Sequence, residues 1–480
     1  MSSTHASVSV GAPGHALCVD LDGTLLATDI LYESLLVLLA RHPLSLFLLP
    51  FWLLQGKAAL KRQIAARVTL APEHLPYDPQ VLELLRTTEQ RPRVLCTASD
   101  ALLVAPIAAH LGLFEQVIAS DGQRNLAGPH KAQALVQAFG ERGFDYVGNG
   151  TVDLAVWQHA AGAWVVNNDA RLARAAAART TVHAHWPAAP RAAAWLKALR
   201  LHQWLKNLLV LVPLLTAHRF LEPLAVGQAL LAFTAFSLCA SGVYLLNDLL
   251  DLGADRQHPR KRHRPFAAGR LPLLHGLLVA PLLTLCGLLV ALACSPAFAG
   301  VLLVYYAATL AYSLRLKRVV MLDVVLLAGL YTVRIIGGTV AIGAELSFWL
   351  LAFSMFIFLS LALLKRYTEL HAVLARGRKT ASGRGYGVDD LPLLQSLGAA
   401  AGYIAVMVMA LYINSPESIA LYSNPKLLWF ICPVLLYWVS RAWVIAHRGD
   451  MHDDPIVFAA TDRASQVVAA LCALCALVAI

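Results

Sequence analysis

Asp20 and Asp22, in Asp20-Leu-Asp22-Gly-Thr24, follow directly on the apolar run ALCVD (16–20). Carboxylates at i and i+2 just past a strand end can share one mouth at the C-terminal edge of a parallel sheet. Phosphoryl transfer needs a nucleophile, a proton donor and a cation. Asp20 can attack phosphorus while Asp22 protonates the leaving alkoxide. A second constellation reads Asn247-Asp248-Leu-Leu-Asp251-Leu-Gly-Ala-Asp255-Arg256. On a helix, 247/248, 251 and 255 recur every three or four residues and line one face. Three carboxylates on one face repel unless cations join them, and Mg²⁺ bridging to a diphosphate is the usual solution. His258, Pro259, Arg260, Lys261, Arg262 and Arg264 follow at once, then Pro265 and Gly269. A solvated basic loop that fixes membrane topology accounts for any one of these; acidic motif and basic run together are harder to explain that way.

The first constellation resembles the HAD superfamily of aspartate-nucleophile phosphatases, whose further motifs appear in order. Thr97, ending RVLCT (93–97), matches the phosphate-binding hydroxyl of the second motif. Lys131, in GPHKAQAL, matches the charge-neutralising lysine of the third. GNGTVD (148–153) is similar to the acidic fourth motif, GDxxxD, that helps hold Mg²⁺. The resemblance covers roughly residues 15–175 and implies Asp20, Asp22, Asn149 and Asp153 as metal ligands. Asn149 is a departure, because the family has an aspartate there. An amide offers an oxygen without charge and weakens Mg²⁺ binding. The alternative is a decayed, non-catalytic domain that tethers or regulates.

The second constellation, NDxxDxxxD before a Lys/Arg/Pro-rich stretch, resembles the first motif of the UbiA superfamily of intramembrane prenyltransferases, over about residues 198–480. Further segments are similar to the branch whose members transfer phosphoribose to polyprenyl phosphates. Arg200-Leu-His-Gln203-Trp204-Leu-Lys206-Asn207 is similar to its RPxQWxKN opening, with Leu201 where proline is usual. Tyr312-Ser313-Leu-Arg-Leu-Lys317, with Asp323 and Arg334 beyond, is similar to its YSxxLK…D…R stretch, and DPIVFAATDRAS (454–465) to its last segment. Lys365, Arg366, Tyr367, Glu369 and Tyr386 fall where aromatic-prenylating members carry a second DxxxD, which is absent. The resemblance implies that Asp248, Asp251 and Asp255 hold Mg²⁺ on the diphosphate of phosphoribosyl diphosphate. Lys206, Lys317, Lys365 and Arg366 become candidate cations for the 5-phosphate or the lipid phosphate. Asn207, Asn247, Arg256, Lys261, Arg264, Tyr312, Arg334 and Tyr386 complete the implied substrate site. A charge inside a span, such as Arg334, usually faces a cavity; snorkelling or a structural pair is the alternative. Arg441 lies toward a helix end, and Asp323 near a membrane boundary.

Such residues need both a sheet and a membrane bundle to position them. Of the 480 residues, 58% are hydrophobic and 14% charged, with a mean hydropathy of +0.61. Soluble domains are roughly 45–50% apolar and about 25% charged, so a single soluble domain and disorder are both excluded. A composition break falls near residue 200. Before it, ALCVD, RVLCT, QVIAS (116–120), DYVG (145–148) and AWVVN (163–167) read as buried parallel strands separated by helices. The expected order is a disordered N-terminus (1–15), a HAD-like α/β Rossmannoid domain with a helical cap (16–175), a linker with a juxtamembrane helix (176–200) and a UbiA-like all-α domain (201–480). Nine apolar segments in the last part read as spans, near 205–221, 224–246, 273–294, 297–314, 320–343, 347–364, 395–414, 427–446 and 464–480.

Loops after the second, fourth, sixth and eighth segments carry almost all the Lys and Arg, with six at 249–272 and six at 365–394. The positive-inside rule puts residues 1–200 in the cytoplasm and the C-terminus outside a bacterial plasma membrane. The pI near 9.3 therefore reads as topology, with no nucleic-acid partner. Eight cysteines form no secreted-type framework, and the Cys472/Cys475 CxxC lies inside an apolar run as packing residues. The first 15 residues show no cleavable signal peptide. LSLFLLPFWLL (44–54) is too short to span and is either core or a hydrophobic cap resting on the bilayer.

Together the resemblances imply a two-step enzyme with Mg²⁺ as cofactor. A polyprenyl phosphate oxygen attacks the anomeric carbon of phosphoribosyl diphosphate as diphosphate departs, so catalysis is placement and electrostatics. The HAD domain then removes the 5-phosphate, giving polyprenyl-phosphoryl ribose for cell-envelope glycans, and tethering raises its effective concentration. The rivals are a UbiA-type prenyltransferase acting on an aromatic acceptor, a membrane-anchored phosphatase, and a transporter or scaffold. The missing second DxxxD counts against the first, and the intact NDxxDxxxD against the others.

Overall fold

The computed structural model describes residues 14–375, 377, 385–452 and 454–480. Nearly all of the expected disordered N-terminus, and residues 376 and 378–384 of the expected basic loop, lie outside them. The chain divides into two units, Met1–Leu199 with Tyr244–Val279, and Arg200–Val243 with Ala280–Ile480.

The first unit is built on a six-stranded parallel sheet. Its strands are β1 (Ala16–Val19), β2 (Arg93–Asp100), β3 (Gln116–Ser120), β4 (Phe144–Gly148), β5 (Gly162–Asn168) and β6 (Thr181–Pro187), in the order β3-β2-β1-β4-β5-β6. Leu17 and Val19 point into one apolar cluster, Ala16 and Cys18 into another. β1 is thus buried on both faces, which is why the central strands read as continuous apolar runs. Strand order reverses at β1, between β2 and β4, and such a switch point opens a crevice at the carboxyl ends of the strands. Helices Ile30–Arg41, Leu49–Leu54, Lys57–Ala65 and Pro79–Thr87 fill the stretch between β1 and β2, where a cap was expected.

The stretch expected as a linker is structured. β6 pairs in parallel with β5, and helix Ala192–Leu199 follows it. β6 escaped the pattern because an edge strand is half-exposed and lacks a continuous apolar run.

Helices of the bundle make this a multi-pass membrane protein. Among the described residues, seven are long and apolar enough to cross a bilayer: Pro223–Leu250, Leu273–Cys294, Pro296–Leu314, Leu322–Ala341, Phe348–Leu374, Val388–Ile413 and Pro425–His447. Pro455–Thr461 and Arg463–Ala479 form a pair bent by 76°, an eighth span if counted as one. Nine were expected. The segment expected at 205–221 is instead a 3₁₀ run, Leu201–Leu211, continued by the short helix Val212–Thr216. Pro213, lacking an N–H, starts that new helix, and buried Lys206 and Asn207 interrupt the apolar surface. Gly338 lets the run lie against helix Leu322–Ala341; a Cβ there would stand 2.0 Å from the Val210 carbonyl oxygen.

Candidate active sites

The α/β site forms at the carboxyl end of β1. Asp20 directly follows β1, Thr97 lies in β2, Lys131 opens helix Pro129–Phe139, and Asp153 follows β4 on the single turn Thr151–Asp153. Lys131 Nζ donates to Asp20 Oδ1 at 2.7 Å and to the Tyr146 hydroxyl at 2.8 Å. That hydroxyl donates to Asp153 Oδ1 at 3.0 Å, while Asp153 Oδ2 accepts from the Asn149 and Gly150 N–H groups. Asp22 Oδ1 accepts from Ile30 N at 2.7 Å; its Oδ2 accepts from Ser99 Oγ at 2.7 Å and Thr97 Oγ1 at 3.3 Å.

The six motif residues, Asn149 included, are therefore gathered, although the Thr97 hydroxyl addresses Asp22. Gly23, at φ +73°, approaches the Asn149 side chain so closely that a Cβ would overlap it. Asn149 thus borders the loop that carries both aspartates.

Burial, together with the Asp153 and Asp22 charges, pushes the Asp20 carboxyl up to about 7 against the opposing pull of Lys131. Burial and the Asp29 charge push Asp22 up to about 6. A carboxyl so placed retains its proton toward neutrality, as a general acid requires. Burial works against the Lys131 ammonium, yet Asp20 and Asp153 beside it raise its pKa above the usual lysine value. Tyr146, Ser99 and Lys61 escaped the sequence reading. Tyr146 lay hidden inside an apolar strand, and Ser99 two residues past the second motif. Lys61 Nζ donates to the Ala98 carbonyl at 2.6 Å, a contact across 37 residues that no local pattern announces.

The acidic motif runs over the end of helix Pro223–Leu250 and into helix Leu252–Gln257. Backbone bonds Asp251 N to Asn247 O and Asp255 N to Asp251 O carry the helical course across the junction. Asp248 and Asp255 are both buried. Arg264 Nη1 bridges them, at 3.1 Å from Asp248 Oδ1 and 2.6 Å from Asp255 Oδ2. Among the described residues no three His, Cys, Asp or Glu side chains are gathered as a metal-binding group. A guanidinium thus stands between Asp248 and Asp255. Two carboxylates that converge on one cationic atom nevertheless fit Mg²⁺, which takes one or two carboxylates and leaves its other positions to water and phosphate.

Arg256, expected at substrate, pairs with Glu33, with Nη2 2.5 Å from Oε1 and Nη1 3.1 Å from Oε2. Both side chains are buried, and Arg256 Nε donates to the Ala267 carbonyl. Lys261 is exposed on the turn Lys261–His263.

Polar clusters among the described residues gather the predicted cations of the bundle. Lys206 Nζ pairs with Asp454, which also lies 3.9 Å from Lys365 Nζ. Arg334 donates to Asn207 Oδ1 at 2.8 Å, the Tyr305 hydroxyl at 2.8 Å and the Leu330 carbonyl, while Asn207 Nδ2 donates to Ser237. Arg366 donates to Asp323 Oδ2, Glu369 Oε2 and the Tyr312 hydroxyl, and the Tyr386 hydroxyl donates to Asp323 Oδ1 at 2.5 Å. Arg334 and Arg366 are therefore each held by a buried hydrogen-bond network. Lys317 lies half-buried on the turn Leu316–Arg318. Arg441 pairs with Asp462 at the bend between the last two helices. Asp454, a partner of both lysines, was legible only as part of a motif.

The UbiA prenyltransferase family model matches residues 208–476, and the haloacid dehalogenase-like hydrolase model residues 17–158. The uncharacterized protein y4nM of Sinorhizobium fredii is 39% identical over 464 residues, which cover 95% of this chain and 89% of that protein. Nodulation protein NoeC of Azorhizobium caulinodans is 39% identical over 56% of this chain and 88% of its own length. Decaprenyl-phosphate phosphoribosyltransferase of Mycolicibacterium smegmatis is 31% identical over 57% of this chain and 88% of its own length.

Proposed function

The chain belongs to the UbiA prenyltransferase family and carries a haloacid dehalogenase-like domain, and on that premise we propose that it phosphoribosylates a polyprenyl phosphate and then removes the 5-phosphate. Phosphoribosyl diphosphate is the donor, and the relative named decaprenyl-phosphate phosphoribosyltransferase supports this choice. The observation that carries the reading is the cationic character of the place where a prenyl-transferring site would need more carboxylates. Lys206 and Lys365 are brought together at the carboxylate of Asp454, so two ammonium groups stand where a substrate phosphate would be held. Arg366 closes on Asp323 and Glu369.

In this reading Asp248, Asp251 and Asp255 would hold a Mg²⁺, and the ion would supply positive charge for the diphosphate leaving group. Arg264 supplies positive charge to the same carboxylates. Lys206 and Lys365 bind phosphate, so that the lipid phosphate oxygen is oriented toward the anomeric carbon. In the α/β site Asp20 attacks the 5-phosphate, with Lys131 holding its Oδ1 so that the other oxygen faces phosphorus. Asp22 gives its proton to the ribose 5-oxygen and then takes one from the water that frees Asp20. Asp20, Asp22, Asn149 and Asp153 would hold a Mg²⁺ that offsets phosphate charge.

Membranes containing the protein, supplied with ribose-labelled phosphoribosyl diphosphate, decaprenyl phosphate and Mg²⁺, test both steps. Lipid-extractable label should appear, be lost in Asp248→Ala, and keep its 5-phosphate in Asp20→Asn. Transfer from a prenyl diphosphate to an aromatic acid, with no lipid label, would overturn the proposal.

A further inference from the structure

The stretch between Glu33 and Glu73 holds five Lys and Arg residues and no carboxylate. Within it, the turn Pro43–Leu48 and helix Leu49–Leu54 are packed on one side only. Ser45 and Trp52 are buried, and Trp52 joins Leu38, Ile64 and Val68 beneath the guanidinium of Arg67. The other side is bare: Leu44 is 77% exposed, Phe47 70% and Leu54 85%, with Leu46, Phe51 and Leu53 more than half exposed. Isolated exposed apolar residues need no explanation, but a contiguous patch of large ones marks an interaction surface. Exposed Arg41, His42 and Lys57 flank it.

An apolar face rimmed by cations fits one partner above others, an anionic lipid surface. The chain's own spans hold it at a bilayer. The segment also connects directly to the α/β site. Helix Lys57–Ala65 starts beside the patch, and one turn along it, about 6 Å of rise, Lys61 reaches the Ala98 carbonyl and Asn125 Oδ1. Ala98 lies between Thr97 and Ser99, which both donate to Asp22. Arg62 pairs with Asp100 in the next position. The headgroup layer of a bilayer is itself roughly 5–8 Å thick on each side.

We propose that residues 43–54 seat the cap in the membrane interface, so that the α/β site takes a phosphomonoester carried on a membrane lipid rather than one free in solution. The substrate half rests on the phosphatase reading above; the seat does not. The bare face sinks to the acyl boundary, the flanking cations meet lipid phosphates, and Lys61, one helical turn beyond Lys57, stands at the mouth where Asp20 and Asp22 act. The lipid need not leave the bilayer to be dephosphorylated.

The test uses the full chain in nanodiscs containing anionic lipid with brominated acyl chains. A fluorescent amino acid at Phe47 should be quenched several-fold more than one at exposed Gln137. Leu46→Asp with Phe51→Asp should cut release of phosphate from a lipid-borne phosphoribosyl ester tenfold or more, and leave hydrolysis of ribose 5-phosphate within twofold of the parent. The water-soluble substrate thus reports that the altered cap still folds. A probe at Phe47 quenched no more than the one at Gln137 overturns the seat. A double variant that loses both substrates alike, or neither, overturns the lipid-borne substrate. Quenching at Phe47 without hydrolysis of either ester upholds the seat and overturns the phosphatase reading.

Discussion

Tyr146 holds two of the proposed catalytic charges together, because its hydroxyl accepts from Lys131 and donates to Asp153. Tyr146→Phe leaves both buried groups short of a partner, which costs about 1–3 kcal/mol. The expected outcome is faster hydrogen exchange along β4 with the sheet otherwise intact; unchanged protection would mean that Lys131 and Asp153 pair without it. Asn149 offers a sharper reading of the metal. Its amide borders the Asp20–Gly23 loop, so Asn149→Asp adds a charge where the proposed cation sits. A Mg²⁺ titration of 5-phosphate release should then reach half its maximum at several-fold lower Mg²⁺. An unchanged midpoint would remove Asn149 from the metal site. Asp22→Asn, which keeps the shape but takes away the acid, should slow that release by about 10²–10⁴-fold.

Contacts that decide the outcome also run between elements. The Glu33–Arg256 pair ties helix Ile30–Arg41, directly after the Asp20–Asp22 loop, to the helix that carries Asp255. Thr28 Oγ1 donates to the same Glu33 carboxylate. Breaking a buried pair from one side strands a charge and costs about 3–5 kcal/mol. Arg256→Met should therefore expose helix Ile30–Arg41 to limited proteolysis, and adding Glu33→Gln should recover part of the loss. In the bundle, Gly338→Ala would press a methyl group into the Val210 carbonyl. Overpacking of this kind costs about 1–3 kcal/mol, and here it shifts the run that presents Asn207 to Arg334. The measurement is resistance to unfolding in detergent, which should fall. An unaffected variant would show that the 3₁₀ run can move aside freely.

At the scale of the whole molecule, the two proposed activities share one chain, and tethering matters only if the second step is faster in cis. A short linkage gives an effective concentration in the millimolar range. Membranes holding Asp248→Ala and Asp20→Asn together, at low protein density, should accumulate the 5-phosphorylated lipid that the parent converts at once. If the mixture releases 5-phosphate as fast as the parent, the fusion confers no advantage of proximity.

The sequence by itself determined the two families, five of the six strands, the membrane character and the identity of both aspartate motifs. Each depends on local spacing: an apolar run buried on both faces, a carboxylate just past a strand end, a period of three to four residues on a helix. It misread what depends on distant partners. Helix length at 205–221 was set by Pro213 and by buried Lys206 and Asn207, although the segment's apolar content suggested a span. β6 needed β5 beside it to be recognised as a strand. Only the tertiary structure decided which carboxylate each buried cation meets. Arg256 turned to Glu33 and Arg366 to Asp323 and Glu369, because a buried guanidinium takes whichever carboxylate packing brings to it, across 223 residues in one case and 43 in the other. Charge is written in the sequence; its compensation is a property of the fold.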